Sequence, residues 1–198
     1  MQLLDMVIDA THAYVGNIPL NARGVMGYVT QATPESGIQW ADEDWARFPY
    51  AGKMRIDQSG SLSPFATLAA DVADIEYGAG TMGAFLTAAR ERKGRGHDST
   101  LYISYDNFES AVQDVASSGL SSSVLYAIAD WSLSLEQASA FIGARNIQLV
   151  QWASPTSNPD TLVPGSTKTL AEAKVDLSVK ASGWFGSSYP SATIYVEG

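Results

Sequence analysis

The sequence predicts an α/β fold, a compact modified (β/α)8 barrel of the TIM type in which some helices are short or missing. Eight short apolar runs recur along the chain. Several are bridged by segments with helical spacing, which implies right-handed strand-helix-strand units and a parallel sheet. The rival, an open doubly wound sheet, lacks its usual phosphate loop. The first strand runs into "DATHAYVGN", which has neither the G-x-G-x-x-G nor the G-x-x-x-x-G-K pattern.

The strands are read in order as "MVIDA" (6–10), "GVMGYVT" (24–30), "KMRID" (53–57), "ADVADIE" (70–76), "STLYIS" (99–104), "VLYAIAD" (124–130), "IQLVQW" (147–152) and "KVDLSV" (174–179). The chain has 198 residues, whereas a (β/α)8 chain typically runs to about 250. The early helices must therefore be short or absent. "IQWADEDWARFP" (38–49) supplies about two turns before Pro49, and "SLSPFATLAA" (61–70) about two more. The later helices are fuller. "GTMGAFLTAARERKG" closes on a basic cluster that complements the carbonyl end of the helix dipole, with glycines to stop it. "DNFESAVQDVASSG" starts with Asp106 or Asn107 as cap and ends at Gly119. "SLEQASAFIGARN" opens on Ser134 with Glu136 and Gln137 in its first turn. Residues 153–173 form a long polar loop rich in proline and serine, expected to overhang the barrel mouth.

Composition narrows the function classes. With 45% hydrophobic and 17% charged residues, the chain reads as one globular domain with a sizeable core. A formal net charge of -9 argues against nucleic acid or an anionic membrane as the main partner. No run of eighteen apolar residues occurs, and the first strand carries two aspartates with no basic region before it, so neither a membrane span nor a signal peptide is expected. Cysteine is absent, which excludes disulfides, zinc-thiolate sites and a cysteine nucleophile. His12 and His97 belong to no H-E-x-x-H motif, and no G-x-S-x-G elbow occurs. No cofactor and no metal site are expected. The weaker alternative is a hard cation held by Asp9, Asp74, Glu76 and Asp176.

In such a barrel, catalytic groups stand at the C-terminal ends of the strands. Asp9, Asp57, Asp74, Glu76 and Asp130 lie at or near such ends, with Asp176 in the middle of the last strand. Asp74 and Glu76 are two apart, so on an extended strand they share a face, about 7 Å apart along the backbone. Crowding two carboxylates in a half-buried place raises one pKa and sets an acid beside a base. A lone strand-end aspartate is instead often a turn or cap residue. Asp57, Gln58 and Ser59 are read either as ligand contacts or as a helix cap, and His12 as a loop residue in preference to a pocket base.

The order of these motifs is similar to that of family 25 glycoside hydrolases. An "IDA" first strand is followed by "DIEYG", "LYISYDNF", "YAIADW", "VQWA" and "VDLSV". The closer resemblance is to the glycoside-hydrolase-like domains of tail and lysis proteins in actinobacterial bacteriophages, and it covers about residues 5–184. This implies a barrel acting on the muramic-acid glycosidic bond of peptidoglycan. By position, Glu76 is implied as the general acid and Asp74 as the group that stabilises or orients the sugar. Asp9 and Asp176 match acids lining the same pocket. Tyr102, Asp130, Trp131, Gln151 and Trp152 fall where such enzymes hold sugar rings, and Asp57 is added as a further substrate contact.

Residues 1–184 are thus expected to form a glycoside-hydrolase-like barrel, with 185–198 as an extension whose "SATIYVEG" strand packs back or meets a partner chain. The implied partners are peptidoglycan or a cell-surface glycan and other virion tail proteins. The implied location is a phage tail or the host cell wall. Two functional readings stay open, a muramidase-like hydrolase and a non-catalytic virion component using the same barrel.

Overall fold

A computed structural model describes residues 4–30, 37–76, 80–182 and 184. Eight strands close into one barrel in sequence order: β1 (Leu4–Asp9), β2 (Gly24–Tyr28), β3 (Gly52–Asp57), β4 (Val72–Asp74), β5 (Ser99–Ser104), β6 (Val124–Ala129), β7 (Ile147–Ala153) and β8 (Asp176–Ala181). The all-parallel expectation fails at the last strand. β1 to β7 are parallel neighbours, but β8 is antiparallel to both β7 and β1. No crossover helix carries the chain back to the floor after β7. The 154–175 connector leaves the mouth and returns to it, so β8 can only run downward.

The connector holds one short helix, α6 (Leu170–Ala173), and leans on the β1–β2 connector. There Lys168 Nζ donates to Asn17 Oδ1 at 2.9 Å, and Asn17 Nδ2 donates to the Ala173 carbonyl at 2.9 Å. The reversal also moves Asp176. It is the first residue of β8, not a mid-strand one, and so stands at the mouth.

Alternation along the strands sorts side chains to the two faces of the barrel wall. Val7, Met26, Met54, Ile56, Val72, Ala127, Ala129 and Leu149 fill the interior. Ile8, Val25, Ala73, Leu101, Ile128, Val150, Leu177 and Val179 face outward into a larger core under the helices. At the floor, the register partners Asp5 and Lys180 form a buried pair, with Lys180 Nζ donating to Asp5 Oδ2 at 2.7 Å.

The helices follow the expected gradient from stunted to full. A 3-10 segment (His12–Asn17) stands in place of a first helix, and α1 (Asp42–Ala46) and α2 (Ser63–Ala66) are about a turn each. α3 (Met82–Gly94), α4 (Tyr105–Ser117) and α5 (Leu135–Phe141) carry the outer layer. Ser134 and Gln137 form the capping box of α5, through bonds of 3.2 Å and 2.8 Å. α4 begins earlier than its sequence suggests, with Ser104 at the cap position, and Gly119 ends it at φ +70°. Phe65, Phe85 and Phe108 are fully buried from α2, α3 and α4. Arg92 of α3 lies 4.3 Å over the Phe65 ring and donates to the carbonyls of Phe65, Ala70 and Asp98. That tie replaces the packing a longer α2 would have provided. The 185–198 extension and Tyr77 lie outside the described residues.

Candidate active site

The mouth gathers polar side chains from seven strands or their ends. Asp9 ends β1 and pairs in register with Asp176, which begins β8. Both belong to the inward-facing set, since the residues that alternate with them, Ile8 and Leu177, pack in the outer core. Asp74, the last residue of β4, is also inward and nearly fully buried.

Short hydrogen-bonded chains fix these acids. Tyr102 Oη donates to Gln151 Oε1 at 2.7 Å, and Gln151 Nε2 donates to Asp9 Oδ2 at 3.2 Å. Asp74 is held at both oxygens, by Gln58 Nε2 at 2.9 Å and by the backbone N–H of Glu76 at 2.8 Å. The second bond shows the chain turning at the end of β4, so Glu76 does not continue the strand as its spacing suggested. It is half-buried instead. It lines a cleft of about 450 Å³ on the α3 and α4 side of the mouth, with Ile75, Met82, Ser104 and Asn107 among the walls.

The electrostatics follow from taking carboxyls out of water beside one another. Asp9 is held well above the usual carboxylate range, first by burial and then by the nearby charges of Asp176 and Asp74; the Gln151 amide and the Ala10 backbone pull the other way. Burial pushes Asp74 up to about 7 against the bonds from Glu76 and Gln58, with the Glu76 charge adding to the rise. Burial alone raises Asp176 to about 7. Glu76 is raised by burial and drawn back by the N–H and hydroxyl of Ser104. Tyr28 and Tyr102 are pushed well above the ordinary phenol value, chiefly by burial and further by the carboxylates around them. Carboxyls raised in this way beside one another suit acid–base chemistry near neutral pH.

Other sequence candidates lie elsewhere. Asp57 is fully buried but turned outward. It accepts from the backbone N–H of Phe65 and of Ser59, both at 2.9 Å, and from Thr30 Oγ1 at 2.6 Å, so it secures the β3–α2 connection and does not reach the mouth. Gln58, one residue on, takes the inward position. Asp130 accepts from the N–H and hydroxyl of Ser132 in a turn after β6. Trp131 packs against the interior cluster, while Trp152 belongs to the outer core. His12 opens the 3-10 segment after β1 and is bonded to Asp44 at 2.5 Å. Among the described residues, no group of three or more His, Asp or Glu side chains is placed to hold a metal ion. Among the described residues, no helix is long and apolar enough to cross a membrane.

Tyr28 is the site residue that motif reading missed. Its signal was the alternation in "GVMGYVT", which sends Met26 and Tyr28 inward while Val25 packs outside. Comparison of the chain with protein-family models, curated proteins and solved structures gives no match.

Proposed function

We propose that this chain is a glycoside-hydrolase-like protein of a bacteriophage, a minor tail component acting on or binding cell-wall peptidoglycan or a surface glycan. In this reading its closed α/β barrel is a modified TIM-type (β/α)8 barrel, related to family 25 glycoside hydrolases. The observation that carries the reading is the set of three carboxyls at one end of the barrel, Asp9 and Asp74 buried and Asp176 half-buried, with pKa values raised and with Gln151 bonded to Asp9 and Tyr102 bonded to Gln151. Glycoside cleavage needs one protonated acid at the leaving oxygen and a second carboxylate to act as nucleophile, base or electrostatic partner. Glu76 is the proton donor in this scheme, and Asp74 the group that orients the sugar. Asp9 and Asp176 complete the pocket, and Trp131 offers an aromatic face to a sugar ring.

A specific observation also favours a non-catalytic glycan-binding tail protein. Glu76 is bonded at Ser104 and lines the α3–α4 side of the mouth. It is not paired with Asp9 or Asp176. A free endolysin-type muramidase is the third form of the same proposal.

Incubation of wild type, Glu76→Gln and Asp74→Asn with actinobacterial peptidoglycan separates these readings through the release of reducing ends. Hydrolysis predicts release by the wild type and a fall of roughly 100-fold or more in Glu76→Gln. Co-sedimentation with peptidoglycan but no release supports the binding module. Neither release nor co-sedimentation removes the peptidoglycan reading. Mass spectrometry of purified particles tests the tail assignment, which fails if the protein is absent from them.

A further inference from the structure

The barrel interior carries a second polar feature, below the mouth and independent of what the mouth binds. Along the seam of β1 and β8 the inward-facing residues are Asp9 and Asp176 at the top, Ser178 opposite Val7 one step down, and Asp5 opposite Lys180 at the floor. Asp5, Asp9 and Ser178 are 3%, 4% and 0% exposed. Three of their oxygens, Asp5 Oδ1, Ser178 Oγ and Asp9 Oδ1, are buried without a hydrogen-bond partner. The surrounding wall is largely apolar, with Val7, Met26, Met54, Val72 and Leu149. Buried oxygens of this kind are rarely left unbonded, because each would forfeit its hydration for nothing in return.

Register sets their spacing. Ser178 lies diagonally between Asp5 and Asp9 across the antiparallel ladder, and such neighbours have backbones about 7–8 Å apart. At that spacing the side chains bond directly only when they lean toward each other, and neither Asp5 Oδ1 nor Asp9 Oδ1 is bonded to Ser178 Oγ. A single water spans roughly 5.6 Å between the two atoms it joins, at about 2.8 Å per bond, and the reach of the side chains covers the rest. A buried water needs two to four polar partners, which this seam supplies on each side of Ser178.

We propose that Ser178 organises an internal hydration site of two waters, one joining Ser178 Oγ to Asp9 Oδ1 and one joining Ser178 Oγ to Asp5 Oδ1. Ser178 is then a positioning residue for the mouth. Gln151 holds Asp9 Oδ2, the upper water holds Oδ1, and together they fix the plane of the carboxylate that faces Asp176. The lower water extends the network to the Asp5–Lys180 pair, so the floor and the mouth form one hydrogen-bonded column inside an otherwise greasy barrel.

The test combines an atomic-resolution crystal structure of the wild type with carboxyl titration by carbon NMR in wild type, Ser178→Val and Ser178→Thr. The groups facing Asp9 are Asp176 from β8, Asp74 from β4, Tyr28 from β2 and Tyr102 from β5, so the titrations of Asp176 and Asp74 are followed alongside. Density for an ordered oxygen bonded to both Ser178 Oγ and Asp9 Oδ1, and another to Ser178 Oγ and Asp5 Oδ1, is expected. Ser178→Val removes the hydroxyl and fills the site with a methyl. It should raise the Asp9 midpoint by roughly half to one pH unit through loss of a donor, while Ser178→Thr keeps the wild-type midpoint. Absence of the two oxygens overturns the proposal, and so does an unchanged midpoint in Ser178→Val. A valine variant that fails to fold leaves the decision to the wild-type density, which then supports or overturns it alone.

Discussion

Asp9 and Asp176 are direct partners across the β1–β8 ladder. This relationship exists because β8 runs opposite to the other strands. A parallel eighth strand beginning at residue 176 would have placed that carboxyl at the floor near Asp5 and carried Lys180 up to the mouth. Reversal places it at the mouth, where burial raises it to about 7 and its charge helps hold Asp9 well above the usual carboxylate range.

The pH dependence of stability follows from those directions. Asp74 and Asp176 titrate near 7 in the folded chain and near 3.9 when unfolded. Between these values the native state binds more protons than the unfolded one, so stability falls as pH rises through that window. Urea unfolding should give a higher midpoint at pH 5 than at pH 8, with an unfolding free energy larger by roughly a few kcal/mol. Asp176→Asn should flatten the slope. A midpoint that rises with pH across this range would contradict the buried-carboxyl account.

Tyr102→Phe removes the donor to Gln151 Oε1 and frees the amide that holds Asp9. The cost in stability should be roughly 1–3 kcal/mol, because a buried acceptor is left unbonded. The Asp9 midpoint should move upward as its bond from Gln151 loosens, which carboxyl titration reads directly.

Asp57→Ala separates a structural aspartate from those at the mouth. It strips the acceptor from two backbone N–H groups and one hydroxyl, and should cost roughly 2–3 kcal/mol in denaturant unfolding. The titrations of Asp9, Asp74 and Asp176 should stay where they are in the folded variant. Movement of those midpoints would return Asp57 to the site.

Gly27→Ala tests how the outer core meets the wall. A Cβ at Gly27 would stand 2.4 Å from the Trp40 ring, and Trp40 is itself pinned by a 2.7 Å bond from its Nε1 to the Ala10 carbonyl. Overpacking of this kind should cost roughly 1–3 kcal/mol. Gly16→Ala, where no atom lies within 4 Å, is the matched control and should leave the thermal midpoint nearly unchanged.

Strand order, the stunted early helices and the strand-end places of Asp9 and Asp74 were legible in the sequence, because hydrophobic periodicity and chain length constrain them, whereas Asp176 was read as a mid-strand residue. Strand direction was not, since an alternating pattern reads the same both ways. The available cue was the 153–173 stretch, whose proline and serine leave no room for a crossover helix of ordinary length. The pairs Asp57 and Gln58, and Gln151 and Trp152, show a second limit. Consecutive strand residues face opposite sides, so one of each pair had to leave the mouth. Gln58 and Gln151 point in, while Asp57 secures α2 and Trp152 joins the outer core. Glu76 escaped the strand pattern altogether, because β4 ends at Asp74 and the next turn is closed by that residue's own carboxylate.

The downward course of β8 has a consequence for the architecture as a whole. Leu4 and Ala181 are register partners, so the first strand begins and the last strand ends side by side on the face opposite the carboxyls. Topologically the barrel is a ring with its seam at the base. A short linker could join those two points and new termini be opened in the 154–169 connector, giving a circular permutant with every strand pair intact. For the same reason the barrel can be spliced as a cassette into a surface loop of another protein, with its mouth facing away from the host.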